Sequence, residues 1–132
     1  MVPSDEGVLI DSQLWISFLS GRKNRDSSEV ARLIQSRKVL LAGPILFEVL
    51  VGPRTTGQRQ YLQGRLMAFP LLATTVEVWL KSVELGRLTA VAIREVPFSD
   101  VLIAAHAQTQ GCKIFTRDSH FDVFPGLRRH VP

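Results

Sequence analysis

Val8-Leu9-Ile10-Asp11-Ser12 is an unbroken apolar triplet closed by an acid and a hydroxyl. A run without polar alternation suits a strand covered on both faces, as in a parallel sheet. Beyond it Leu14, Trp15, Phe18 and Leu19 recur at helical spacing until Gly21, a fitting stop. The same strand-then-helix unit returns downstream. Residues 38–42 predict a second strand, Gly43-Pro44 breaks it with a proline suited to a first helical turn, and the helix runs to about Val51 before Gly52-Pro53. Residues 71–73 and 113–116 predict further strands, and 128–131 a last one.

Between them, Asp26 with Glu29 three residues on predicts a capping-box start for a helix carrying Val30, Leu33 and Ile34. Residues 55–69 and 75–88 predict two more helices, the second with Val76, Trp79, Leu80 and Val83 on one stripe. Val96-Pro97-Phe98 leads into Ser99-Asp100 and a helix over 101–110 stopped by Gly111, while 117–124 reads as a turn or short helix. Strands alternating with helices predict an α/β fold, a mainly parallel central sheet flanked by helices on both faces. With no repeat or linker, residues 1–132 read as a single domain.

At 132 residues the chain buries a sufficient core without staples, and its one cysteine, Cys112, allows no internal disulfide. That composition suits a reducing cytoplasm. Apolar stretches such as 39–50 and 101–107 fall short of the ~20 residues of a membrane span. The early acids Asp5, Glu6 and Asp11, with no basic leader, argue against a secretory signal, so a cytoplasmic location and no membrane role are expected. Sixteen basic against twelve acidic residues give a net charge of +4, which permits a polyanionic partner without requiring one. No G-x-S-x-G elbow and no G-x-x-x-x-G-K-[ST] loop is present. Cys112 follows a helix end and reads as a structural thiol. His106 and His120 read as structural or exposed, and Trp15 and Trp79 as core residues.

The twelve acids are therefore informative by position. Asp11 follows the first strand, Asp100 opens the most apolar helix, and Asp118 follows the strand ending in Thr116. All three map to the carboxyl edge of a parallel sheet, where such folds collect functional groups. Glu48 is the single charge in the apolar turn 45–51, one turn into the helix after the second strand. Each acid has an ordinary role open to it: Asp11 and Asp100 as helix caps, Asp118 as a turn residue, Glu48 in an ion pair or on an exposed face. If they converge, two carboxylates ~5 Å apart at an effective dielectric of ~20 repel by about 3 kcal/mol, which calls for protonation, a basic partner or a metal. Oxygen ligands without clustered His or Cys favour Mg2+ or Mn2+ over zinc.

These segments, with Pro97-Phe98-Ser99-Asp100-Val101-Leu102-Ile103-Ala104-Ala105 and Thr116-Arg117-Asp118 through Pro125-Gly126-Leu127, resemble PIN-domain ribonucleases, specifically the VapC-type toxins of bacterial and archaeal toxin–antitoxin pairs. The resemblance spans nearly the whole chain. It implies a doubly wound sheet and a Mg2+- or Mn2+-dependent endoribonuclease. Asp11, Glu48, Asp100 and Asp118 match the family's acidic quartet, with Asp11 and Asp100 as principal metal ligands and Glu48 and Asp118 completing the pocket. Ser12 and Thr116 match the small hydroxyl positions that support the acids. His120 stands where many relatives carry another acid and Asp122 where they often carry Glu or Asp, so the resemblance implies a second metal site less clearly than the first. A homodimer, an RNA substrate and a cognate VapB-type antitoxin lying across the active site are further implications. Arg22, Arg25, Arg54 and Arg117 are candidates for guiding RNA. Two other readings compete. One is a non-catalytic PIN-fold module that binds RNA or protein. The other is a phosphoryl-transfer domain, disfavoured because Asp11-Ser12-Gln13 offers neither D-x-D nor a receiver's acidic pair.

Overall fold

The structure, a computed structural model, describes residues 7–132; Asp5 and Glu6 of the polar lead lie outside the described residues. Four strands form the sheet: β1 (Val8–Ile10), β2 (Val39–Ala42), β3 (Leu71–Leu72) and β4 (Lys113–Phe115). Their order is β3-β2-β1-β4, and every pairing is parallel. Val8 stands opposite both Val39 and Lys113, so β1 is central and receives bonds from both sides. Successive strand residues face opposite sides of a sheet, and all three residues of β1 and all four of β2 are buried, so both faces are covered. The predicted α/β class and parallel sheet are observed.

Among the described residues seven α-helices fill the crossovers: α1 (Ser12–Leu19), α2 (Arg25–Gln35), α3 (Gly43–Val51), α4 (Thr56–Leu66), α5 (Val76–Gly86), α6 (Thr89–Ile93) and α7 (Phe98–Gln110); a 3-10 turn spans Ser119–Val123. Most begin and end for the reasons the sequence suggests. Pro44 sits in the first turn of α3, Thr55 and Thr75 cap α4 and α5 through their hydroxyls, and Gly111 closes α7 in the left-handed conformation at φ 69°. Trp15 is buried as expected, its ring 5.3 Å from that of Phe69. Cys112 is buried too, and burial pushes its thiol up to about 11, which suits an inert structural role. His106 is wholly buried and hydrogen-bonded to Thr74 and Gln110, while the Gln110 amide donates to the Ala73 carbonyl, so this histidine ties α7 to the segment after β3.

Five expectations are corrected. α2 is capped by Asn24, whose Oδ1 accepts from Ser27 N–H at 2.8 Å; Asp26 instead pairs with Arg117, and Glu29 is clasped by Arg32 and His130 rather than closing a capping box. Residues 128–131 form no strand, only one parallel bridge between Ile114 and Arg129. Arg128, Arg129 and His130 offer no apolar run to bury, and Arg129 and His130 are held by Asp122 and Glu29. α7 begins at Phe98, so Asp100 lies inside its first turn and Pro97 occupies the cap position. The short helix α6 has no counterpart in the predicted elements.

The fifth correction concerns Trp79. The predicted core stripe of α5 is its outer face: Trp79 is 46% exposed, and Val76, Leu80 and Val83 are exposed as well. α5 buries Val78, Ser82 and Leu85 instead. Both sets recur at helical spacing, so periodicity alone does not say which side meets the core.

Candidate metal centre

β1 and β4 bracket the point where the strand order reverses, the position at which a parallel sheet opens a crevice beyond its carboxyl ends. Asp11 is the first residue past β1, and its N–H donates to the Phe115 carbonyl at 2.9 Å. Its carboxylate caps α1 by accepting from Ser12 N–H at 2.8 Å, and its other oxygen accepts the Thr116 hydroxyl at 2.6 Å. Thr116 Oγ1 in turn accepts the Asp118 N–H at 3.0 Å. One hydroxyl thus fixes both the acid after β1 and the backbone of the acid after β4. Burial raises the Asp11 carboxyl above its ordinary range; the Thr116 and Ser12 hydrogen bonds oppose this, and the Asp118 charge adds to it.

Asp100 is 6% exposed, and among the described residues its carboxylate accepts no hydrogen bond, the nearest ring nitrogen, His120 Nδ1, standing 3.3 Å away. Burial, then the negative charges of Asp11, Asp118 and Glu48, push it up to about 6. Glu48 projects from α3; its Oε2 accepts the Ser99 hydroxyl at 3.2 Å, and its Oε1 is buried with no partner. Asp118 caps the 3-10 turn by accepting the His120 N–H at 2.9 Å and keeps an accessible face. The charges of Asp11, Asp118 and Glu48 all reach Asp100, while of the four acids only Asp100 and Asp118 share the tight group of ligand atoms.

The tightest group includes His120, to which the sequence alone assigns no ligand role. Ligand atoms of Asp100, Asp118 and His120 lie within 4.8 Å of one another. His120 Nδ1 is 3.3 Å from Asp100 Oδ2 and 3.3 Å from Asp118 Oδ1, so the ring borders both carboxylates. The signal available in the sequence was spacing: a tight turn after Asp118 brings the residue two positions on back beside it. Asp122, by contrast, is paired with Arg129 at 2.8 Å and stands outside this group. Of the candidate RNA-guiding arginines, Arg117 is engaged in a two-toothed pair with Asp26 and lies over the Phe115 ring. Arg22, Arg25 and Arg54 are exposed.

The donors fit a divalent cation. A carboxylate buried without a donor and a second acid with an orphaned buried oxygen are costly unless a positive charge compensates them. Oxygen-rich sets of this kind suit Mg2+ and Mn2+.

The profile of the PIN domain matches residues 8–127, which include every strand, all seven helices and the four acids. VapC ribonuclease Mb1587 of Mycobacterium bovis and Ribonuclease VapC11 of Mycobacterium tuberculosis are each 25% identical over 122 residues, covering 88% of this chain and 90% of the relative. Among solved structures, VapBC2 from Rickettsia felis, bound to a DNA fragment from its promoter, aligns with a TM-score of 0.76 at 15% identity, over 93% of this chain and 96% of that one. A toxin–antitoxin complex from Klebsiella pneumoniae aligns at 0.70 and 22% identity, over 92% and 95%. Those two alignments show a shared fold, and the profile match identifies its lineage: the chain belongs to the PIN-domain family.

Proposed function

We propose that the protein is a Mg2+- or Mn2+-dependent endoribonuclease, the toxin of a VapBC-type pair, which hydrolyses RNA phosphodiester bonds at the pocket of Asp11, Glu48, Asp100 and Asp118. The observation that carries this reading is Asp100, buried without a hydrogen-bond donor beside three other acids at the sheet's switch point. Asp11 and Asp100 are the principal ligands. Asp11 is held in place by Ser12 and Thr116, and Glu48 by Ser99. Glu48, with its buried and unpartnered Oε1, and the partly exposed Asp118 complete the pocket, directly or through waters, and help orient the attacking water. A bound divalent ion would lower the pKa of a water and neutralise charge on the phosphate. Exposed Arg22, Arg25 and Arg54 supply positive charge for the RNA backbone.

The resemblance to VapC ribonucleases and to toxin–antitoxin assemblies supports a cognate VapB-type antitoxin as partner. A basic side chain from such a partner would meet the same unpaired carboxylates that otherwise hold the ion. The cytoplasm is the matching compartment; no helix among the described residues is long and apolar enough to cross a membrane. The experiment that tests the reading is cleavage of RNA by antitoxin-free protein. EDTA should stop it and excess Mn2+ restore it; cleavage that persists in EDTA would overturn the reading.

The outer face of α5 supports a homodimer. Val76, Trp79, Leu80 and Val83 are exposed together, and the Trp79 ring stacks on exposed Phe98 with centroids 6.2 Å apart. Contiguous aromatic and aliphatic surface of this kind marks an interface. Trp79→Glu should convert the dimer to a monomer in light scattering at micromolar concentration; an unchanged dimer would place the interface elsewhere.

A further inference from the structure

His120 lies where the two carboxylates of the tight cluster meet. The 3-10 turn fixes it there: its N–H is bonded to Asp118 Oδ1, and the next residue, Phe121, is anchored in the core. Its Nδ1 is buried, hydrogen-bonded to nothing among the described residues, and 3.3 Å from one oxygen of Asp100 and one of Asp118. A ring N–H paired with a carboxylate closes to about 2.8 Å and aligns on one oxygen. This nitrogen does neither and stands equidistant from two. Equal spacing from two carboxylate oxygens is also what a shared cation produces. Bonds of roughly 2.0–2.2 Å to one octahedral ion leave neighbouring ligand atoms about 3 Å apart. Asp100 meets the cluster with a side chain more than nine-tenths buried and no donor of its own.

We propose that His120 Nδ1 is a direct ligand of the divalent ion held by Asp100 and Asp118, and that this nitrogen tips the centre toward Mn2+ over Mg2+. The inference rests on the metal reading above and goes beyond it by assigning a ligand and a preference. Mg2+ favours an all-oxygen shell and keeps its waters, whereas imidazole suits first-row transition ions. The ring takes the tautomer with its proton on Nε2, leaving the Nδ1 lone pair for the ion. This nitrogen joins the oxygens of Asp100, Asp118 and Asp11, and any remaining position is open to water or phosphate.

Pulsed electron paramagnetic resonance of Mn2+ bound to the full, chelator-stripped chain tests this, because modulation from a directly bonded imidazole nitrogen is read without any turnover. The wild-type protein should show that nitrogen, and labelling its histidines with 15N should shift the modulation. His120→Asp, which exchanges nitrogen for oxygen and leaves His106 and His130 in place, should lose the signal. Its preference for Mn2+ over Mg2+, measured by competition, should fall at least about tenfold. Mn2+ that binds in an Asp100-dependent manner with no nitrogen coupling in the wild type, or coupling that survives in His120→Asp, overturns the assignment and leaves the metal reading standing. Absence of Mn2+ binding, or binding indifferent to Asp100→Asn, overturns both.

Discussion

Asp100→Asn is expected to lower RNA cleavage by at least about a thousandfold, roughly 4 kcal/mol of barrier. The replacement is nearly isosteric, and the position is 6% exposed inside a well-packed helix turn, so the fold has no reason to change. What changes is charge. Asp100 is the residue on which the charges of Asp11, Glu48 and Asp118 converge, and it faces the group of ligand atoms without any hydrogen bond to divide its attention. An amide offers the ion one neutral oxygen in place of an anionic one. Rates under saturating Mn2+, on protein shown to be folded by circular dichroism, check this. A loss of less than tenfold would assign the chemistry to other residues.

The second large effect is on stability, and it follows from the same crowding. In metal-free protein the Asp100 carboxyl titrates at about 6 against an ordinary 3.8. An acid whose pKa is raised by folding is no burden when protonated in both states. It destabilises the fold progressively as pH rises from the lower value through the higher one, by about 2–3 kcal/mol in full. Asp11, raised by burial, acts in the same direction. Glu29 acts in the opposite one: its bond to Arg32, backed by His130, holds it down at about 2 against 4.5, so its contribution is complete above 4.5 and lost as pH falls toward 2. Metal-free protein should therefore be most stable near pH 4, with a Tm at least about 5 °C above that at pH 7.5. Asp100→Asn should flatten the neutral limb, and Mn2+ should restore stability there by binding the charged form. A Tm that rises steadily from pH 5 to 7.5 in EDTA would contradict this.

Much of this architecture was legible because it depends on short, local signals. Val8-Leu9-Ile10 is apolar without alternation, which requires cover on both faces, and Asp11 can then stand only at the carboxyl edge. Gly43-Pro44 and Gly111 mark helix ends through backbone chemistry that needs no tertiary context. Glu48 is conspicuous because a charge inside an apolar turn needs a reason, and among the described residues its Oε1 finds no partner.

What was not legible depends on contacts between distant segments. α5 carries apolar residues on two faces, and only its packing against α7 decides that Val78 and Leu85 go inward while Trp79 stays out. Asp26 looked like a cap, yet Asn24 satisfies the helix end and frees Asp26 for Arg117, ninety-one residues away. Arg128–Val131 suggested a strand until ion pairs to Glu29 and Asp122 fixed its side chains individually. A lone histidine in a turn is ordinary, so the sequence alone singles out no role for His120; only the return of that turn upon Asp100 brings its ring beside the acids.

The most direct test of the account is to titrate Mn2+ into chelator-stripped, antitoxin-free protein while following both ion binding by calorimetry and fragmentation of total tRNA and ribosomal RNA. The account predicts that the two curves rise together in the wild type and that both are flat in Asp100→Asn. Discrete fragments formed before any ion is bound, or an ion fully bound by Asp100-competent protein that leaves every RNA intact, would contradict it.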